Sequence, residues 1–475
     1  MPTSRSARKS PRRSTEPQPH QLQTDRRYSP RSALAAIGVH LRHIKLLDPS
    51  KQKVVILQKS IRHTPFQKLT DALITILAGA HGLAEINTRL RSDVALQRAF
   101  GREACAEQSV VQETLSACTP LNVQQMQQAM DELFRTCSRA FRHNYLESLQ
   151  LLDIDISGMP CGPQQEESRK GYFSEAGIRY GRQLGRVIAT RYEEIVTDRL
   201  FAGNVQLIPA LPSLITAAEA TLALDEARRR CTVLRMDAGA GSIDAINWVL
   251  ERGYQVHGKD ISSVRAAGLA QSVAEWFTCP RQPGREVGWV TVEASDYVRP
   301  LRRLAMRWRL RNGHWKYALL LSTLEAREVM QLLNQPVDRV NDQRAVAAAY
   351  AKLYDLRGGA VEIEFKEDKQ GFGMTKRSKK KFAAQQMVML LGQLAHNVVV
   401  WARQWLRQST PQLARFGVLR FVRDVFSTSG FIEFAADGAI KAVVLNCAAP
   451  AARRAAEALR TLLHTNRIRV RLGET

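Results

Sequence analysis

The chain has 475 residues, 45% of them hydrophobic and 24% charged, a composition that excludes wholesale disorder and points to two or three domains. Its charge is unusual: 69 Lys and Arg against 45 Asp and Glu give a net charge of +24. A chain this basic repels itself unless a polyanion accompanies it, and the candidates are nucleic acid and an anionic membrane surface.

Residues 1–32 are rich in Ser, Pro and Arg and almost devoid of apolar side chains, so a disordered basic tail is expected there. The tail holds eight Lys and Arg against two acids, which leaves most of the positive charge on the folded body. Residues 34–57 read as short strands. Residues 66–141 show apolar side chains at helical spacing, broken at Pro120. Residues 33–147 are therefore expected to be mostly helical, either a DNA-binding domain or a plain packing domain.

From Leu149 the pattern changes. "LQLLDIDIS", "GRQLGRVIATRYEEIVTDRLF", "CTVLRMD" and "YQVHGKD" read as buried strands, with helices at 215–230 and after "AGAGS". Strand, turn, helix, strand over 148–262 is the grammar of an α/β sheet. Residues 263–340 read as a β-rich insertion, with Asn312-Gly313 as a hairpin turn. Helices follow at 324–333, 342–356 and from Phe382, so 341–410 forms a second part of the core. A hairpin turning near Asp437-Gly438 and a helix at 451–463 complete a C-terminal region, 411–475. The apolar stretch 382–405 is interrupted by Gln385, Gln386, Gln393, His396, Asn397, Arg403 and Gln404. It reads as a core helix, not a membrane span. No apolar signal segment opens the chain. A cytoplasmic protein with no membrane partner is expected. Seven dispersed cysteines argue for reduced thiols and against a zinc finger.

A carboxylate inside an apolar strand is expensive to bury without a partner. Asp153 and Asp155 are two apart and share a strand face. Asp237 ends a strand, followed by Gly239 and Gly241. Such strand-end carboxylates either hold a ligand or cap the next helix. In "YDLRGGAVEIEFKEDKQG", helical spacing puts Glu362 and Lys369 on one face, and Tyr354 and Arg357 on another. Arg357 and Lys369 are phosphate-binding residue types, although a solvated, salt-bridged helix fits the same pattern. "KRSKKK", with Lys376, Arg377, Lys379 and Lys380, is either a solvated loop or a grip on phosphates. Convergent acids in a basic protein suit Mg²⁺, which takes hard oxygen ligands.

Taken in order, "LDIDISGMP", "LRMDAGAGS" and "YDLRGGAVEIEFKEDKQG" resemble the three catalytic motifs of DDE-type transposases of bacterial insertion sequences. The resemblance is to the subgroup whose third motif reads Tyr, two residues, Arg, three residues, Glu, six residues, Lys. It runs from Leu149 to Arg403. It implies a ribonuclease-H-like α/β core interrupted by a β-rich insertion, with helical regions on either side. By position it assigns Asp155, Asp237 and Glu362 as catalytic metal ligands, with Asp153 and Glu364 as alternatives to the first and last. Tyr354, Arg357, Lys369 and the basic loop are implied as DNA contacts. Four residues separate Arg357 from Glu362 where the pattern has three, so a kink at Gly358-Gly359 is expected.

The resemblance further implies Mg²⁺, with Mn²⁺ able to substitute, and double-stranded DNA as partner, both element ends and target. It implies a dimer on DNA, and cutting and joining by two-metal hydrolysis and transesterification. Trp289, Trp308 and Trp315 in the insertion are candidates for stacking on a base or for ordinary strand packing. Two other functions share these residues: a catalytically inactive DNA-binding descendant, and a nuclease without strand transfer.

Overall fold

The computed structural model describes residues 25–59, 62–173, 177–280, 282–292, 296–359 and 361–474. Most of the expected tail, residues 1–24, lies outside the described residues.

The N-terminal part runs β1 (Asp25–Ser29), α1 (Ser32–His43), α2 (Asp48–Lys53), α3 (Pro65–Leu77), α4 (Val94–Ala99), α5 (Gln108–Ala117) and α6 (Pro120–Cys137). Two sequence expectations change here. The segment 34–57 forms helices, not strands: Ala33, Leu34, Ala35, Ala36, Ile37 and Leu41 are all buried on α1, and Ala and Leu are strong helix formers. The expected tail also ends early, because Asp25–Ser29 pairs with a strand near the C-terminus.

The central part runs β2 (Gln150–Pro160), β3 (Arg169–Phe173), β4 (Gly177–Ala189), β5 (Glu194–Ala202), α7 (Leu207–Leu222), α8 (Glu226–Arg230), β6 (Thr232–Met236), α9 (Ile243–Glu251) and β7 (Gln255–Lys259). Its strands stand in the order β5–β4–β2–β6–β7. β4 is antiparallel to β2 and to β5, whereas β6 and β7 run parallel to β2. Two ion pairs lock the register: Asp153 of β2 opposes Arg235 of β6, and Arg186 of β4 opposes Asp198 of β5.

α10 (Ser263–Ala270), β8 (Phe277–Thr278), β9 (Arg285–Trp289), β10 (Arg302–Arg309), β11 (Trp315–Ser322) and α11 (Ala326–Leu332) follow. The turn at Asn312-Gly313 is where expected, with Gly313 at φ +81°. These strands do not stand apart as an inserted sheet. β11 pairs antiparallel with β7, so β8–β11 extend the central sheet to ten strands. Their outer face buries a second apolar cluster with α11 and the next helix.

The chain closes with α12 (Gln343–Asp355), α13 (Val361–Gly371), α14 (Phe382–Arg407), α15 (Val418–Phe421), β12 (Gly430–Phe434), β13 (Ile440–Asn446), α16 (Ala452–Leu463) and β14 (Arg469–Gly473). The polar residues inside α14 have a structural purpose. β5 would otherwise expose unpaired backbone groups along its outer edge. Gln386, Gln393 and Asn397 share one face of α14 and accept from the amides of Leu200, Asp198 and Ile195 at 2.6, 3.2 and 2.9 Å. α3, α5 and α6 pack on α14, so the N-terminal helices share one apolar core with the sheet. β1, β12, β13 and β14 form a separate four-stranded sheet against α1 and α16, uniting both ends of the described chain. The seven cysteines are all free thiols.

Candidate active site

The site forms where β6 and β7 end beside the middle of β2 and the break between α12 and α13. Asp155 lies on β2, with its side chain 14% exposed. Asp237 follows β6 and caps a short 3-10 turn, one carboxylate oxygen accepting from the Gly239 amide at 2.9 Å. The turn is pressed against the end of β7: a Cβ at Gly241 would meet the Lys259 carbonyl oxygen at 1.8 Å, so no side chain fits there. Glu362 opens α13 and is 61% exposed.

Arg357 ties these elements together. It is buried, at the break between the helices, and its guanidinium stands 3.1 Å from Asp155 and 3.6 Å from Glu362. It also donates to the Ile154 carbonyl at 3.1 Å, while its Nε has no hydrogen-bond partner. The irregular spacing is thus absorbed by the Gly358-Gly359 turn. α12 ends at Asp355 and α13 starts afresh at Val361. Tyr354 and Glu362 therefore sit on different helices, yet Arg357 still reaches both acidic partners. Lys369, two turns after Glu362 on the same face, donates to Ser157 Oγ at 2.6 Å.

Burial, with added repulsion from Asp237 and Glu362, pushes the Asp155 carboxyl up to about 6 against the pull of Arg357. Burial alone would lower the Arg357 guanidinium, but Asp155 and Asp237 outweigh it and raise it. Arg357 stands at two of the three acids, and Lys259 lies within electrostatic reach of the third, Asp237. The hard oxygen donors suit a divalent cation. Among the described residues, no three His, Cys, Asp or Glu side chains already stand close enough to hold one.

The two alternatives fall elsewhere. Asp153 is fully buried in a bidentate pair with Arg235, at 2.6 and 2.8 Å, and so serves the sheet. Glu364 points away from Glu362, because residues two apart lie on nearly opposite sides of a helix. It is buried 3.3 Å from His396. Burial pushes its carboxyl up to about 7.

Several expected DNA contacts also change. Tyr354 is buried under Lys259, whose ammonium lies 4.5 Å from the ring centre. Arg377 is buried and donates to the carbonyls of Phe372 and Ala80. Lys379 is buried and donates to Gln112 at 2.5 Å; burial and Arg377 bring its ammonium down to about 8. Both residues fasten the basic loop to the fold and present little surface to a phosphate. Lys376 and Lys380 remain exposed. Trp289 packs edge-on against Tyr350, as a strand residue does. Trp315 carries Arg307 and Arg309 over its ring at 4.5 and 4.9 Å, and Trp308 carries Lys316 at 5.6 Å.

Sequence reading missed Lys259. Burial lowers its ammonium, with Asp355 and Asp237 nearby and opposing that shift. Its place at the end of β7, level with Asp237 at the end of β6, was the available signal.

A family model of the transposase DDE domain matches residues 147–398. That is more than half the chain and spans all three acidic motifs. The chain belongs to the transposase DDE-domain family. The solved structures similar to this DDE-family chain include the cryo-EM structure of the piggyBac transposase synaptic complex with hairpin DNA. That likeness has a TM-score of 0.39 at 11% identity, covering 85% of this chain and 82% of the other. No curated protein matches by sequence. The family is one of nucleic-acid strand cleavage and transfer, and divalent metals serve it generally. No helix among the described residues is long and apolar enough to cross a membrane.

Proposed function

We propose that the chain is a DNA transposase of a bacterial insertion sequence, cutting double-stranded DNA at element ends and joining the ends to target DNA. The strand order β5–β4–β2–β6–β7 supports a ribonuclease-H-like core. The observation that carries the reading is Arg357, which gathers the first and third acidic motifs onto one guanidinium beside Asp237.

Asp155, Asp237 and Glu362 would hold Mg²⁺, or Mn²⁺ in its place. Bound there, divalent cations supply the Lewis acidity that activates water or a 3′-hydroxyl and stabilises the leaving oxygen. The remaining work belongs to the chain. Lys369 offers a point charge to a phosphate beside the scissile bond, and Arg357, buried between Asp155 and Glu362, holds those two acids in place. Ser157 holds the Lys369 ammonium along β2. Tyr354 supports Lys259 from below, and Lys376 and Lys380 add exposed charge for the DNA backbone. Synapsis of two ends calls for a dimer on DNA.

The test is an end-cleavage and strand-transfer assay with Mg²⁺ and DNA bracketing the gene, using Asp155→Asn, Asp237→Asn and Glu362→Gln. Each should reduce nicking to background while DNA binding persists. Full activity in any one removes that residue from the triad. Nicking without joined products would indicate a nuclease, and no metal-dependent nicking by the parent chain an inactive descendant.

A further inference from the structure

The β3–β4 hairpin carries an apolar face that no described part of the chain covers. Its strands pair Tyr172 with Ile178 and Lys170 with Tyr180. Residues paired directly across an antiparallel ribbon share a face, and residues two apart do too, so all four look the same way. Tyr172 is 65% and Ile178 77% exposed. The Lys170 ammonium stands 5.6 Å from the Tyr180 ring centre.

The opposite face is packed. A Cβ at Gly158 or Gly181 would strike the Phe173 ring, at 2.0 and 2.6 Å, and one at Gly171 would strike the Gly203 carbonyl at 1.9 Å. The hairpin is thus seated firmly by one side. Its exposed side is built, not left over.

The register shows where that side leads. On β2, Asp155, Ser157 and Met159 pair with Arg186, Leu184 and Arg182 of β4. The even-numbered residues of β4 therefore share the face of Asp155, and Tyr180 and Ile178 continue the series. α13 covers this face near Arg186 and Ser157, and the basic loop covers it near Arg182. Beyond Arg182 the same face emerges uncovered. Pro160, where β2 ends opposite Gly181, is five residues from Asp155, or roughly 17 Å, about the rise of five base pairs.

We propose that the Lys170–Tyr172–Ile178–Tyr180 face is a DNA contact, engaging the duplex a few base pairs from the site at Asp155. This rests on the transposase reading and adds a second point of grip to it. Charge selects the occupant. The basic loop borders the hairpin base, with Ser378 donating to Gln165 at 2.7 Å and the Glu166 amide donating to the Lys380 carbonyl at 3.0 Å. A second copy of a +24 chain is repelled from such a surface, whereas a polyanion is drawn to it. Aromatic and branched apolar side chains on a basic ribbon suit the sugars and base edges of a groove.

The experiment uses the full chain and a fluorescein-labelled random-sequence duplex in EDTA, read by anisotropy across a salt series. Tyr172→Ser with Ile178→Ser should weaken binding about tenfold and leave the log–log salt slope unchanged. Lys170→Ala should lower the slope by about 0.9. Melting temperatures should stay level, because these side chains touch little of the core. A photo-crosslinker replacing Ile178 should join the chain to DNA. Unchanged affinity of the double variant overturns the proposal while leaving the transposase reading intact. So does crosslinking to a second copy, or a DNA-free dimer that the double variant dissolves. If the parent chain does not bind the duplex at all, both fall.

Discussion

Two groups of three carboxylates lie along α13. Asp155 and Glu362 stand at the guanidinium of Arg357 with Asp237 close by, and the group reaches solvent through Glu362. Asp198, Asp368 and Glu364 are buried and surround two cations: Arg186, at 2.7 Å from Asp198 and 2.6 Å from Asp368, and His396, at 2.9 Å from Asp368. Burial alone would lower the His396 imidazole, but Asp368 and Glu364 outweigh it and raise it to about 9. The buried group is close to neutral and orders the helix. The other group stands at the ends of β6 and β7 and opens to solvent, where a ligand can join it. Access to water, not acidity itself, separates a site from a scaffold.

Arg186→Met should give the largest effect on stability, a loss of about 3–5 kcal/mol in denaturant unfolding, because it strands two buried carboxylates. Arg357→Met should lose clearly less, since its partners face water or can take up a proton; an equal loss would break the contrast. The next effect is in pH. His396 is raised in the folded chain, so its contribution is complete below the unfolded value near 6.5 and is lost as pH rises through about 9. Unfolding measured from pH 6 to 10 should show a decline of roughly 3 kcal/mol that His396→Gln removes. A parent curve flat over that range would mean the buried group is not charged as described. The smallest effects belong to the basic loop. Lys376→Ala and Lys380→Ala should each lower the salt slope of DNA binding by about 0.9 and leave the melting temperature alone. Arg377→Ala and Lys379→Ala should do the reverse.

Much of this was legible from the sequence. The strands of the central sheet, the turns at Asn312-Gly313 and Asp437-Gly438, and the long helix from Phe382 follow from periodicity and turn chemistry. In the fold Asp155 and Glu362 stand at one guanidinium, that of Arg357. What could not be read was partnership. Asp153 and Asp155 look alike in sequence, and only the register of β2 against β6 shows that Arg235 claims the first. Arg377 and Lys379 look like Lys376 and Lys380 until the loop is folded onto α5 and the turn after α3. The insertion was legible as strands but not as a continuation of the sheet, because edge pairing of β11 on β7 leaves no local mark. Residues 34–57 were misread because a run of buried Ala, Leu and Ile fits a short strand as well as a helix.

The pairing of β1 with β12 has a consequence for synthesis. Roughly 400 residues separate the two strands, and at about 5–20 residues per second the first waits on the order of 20–80 seconds for the second. Until then Tyr28 lacks the Phe431 ring it meets edge-on, and α1 lacks β13. The emerging chain therefore carries an unsatisfied strand and an apolar helix throughout that interval. It is an interval in which a chaperone has something to hold.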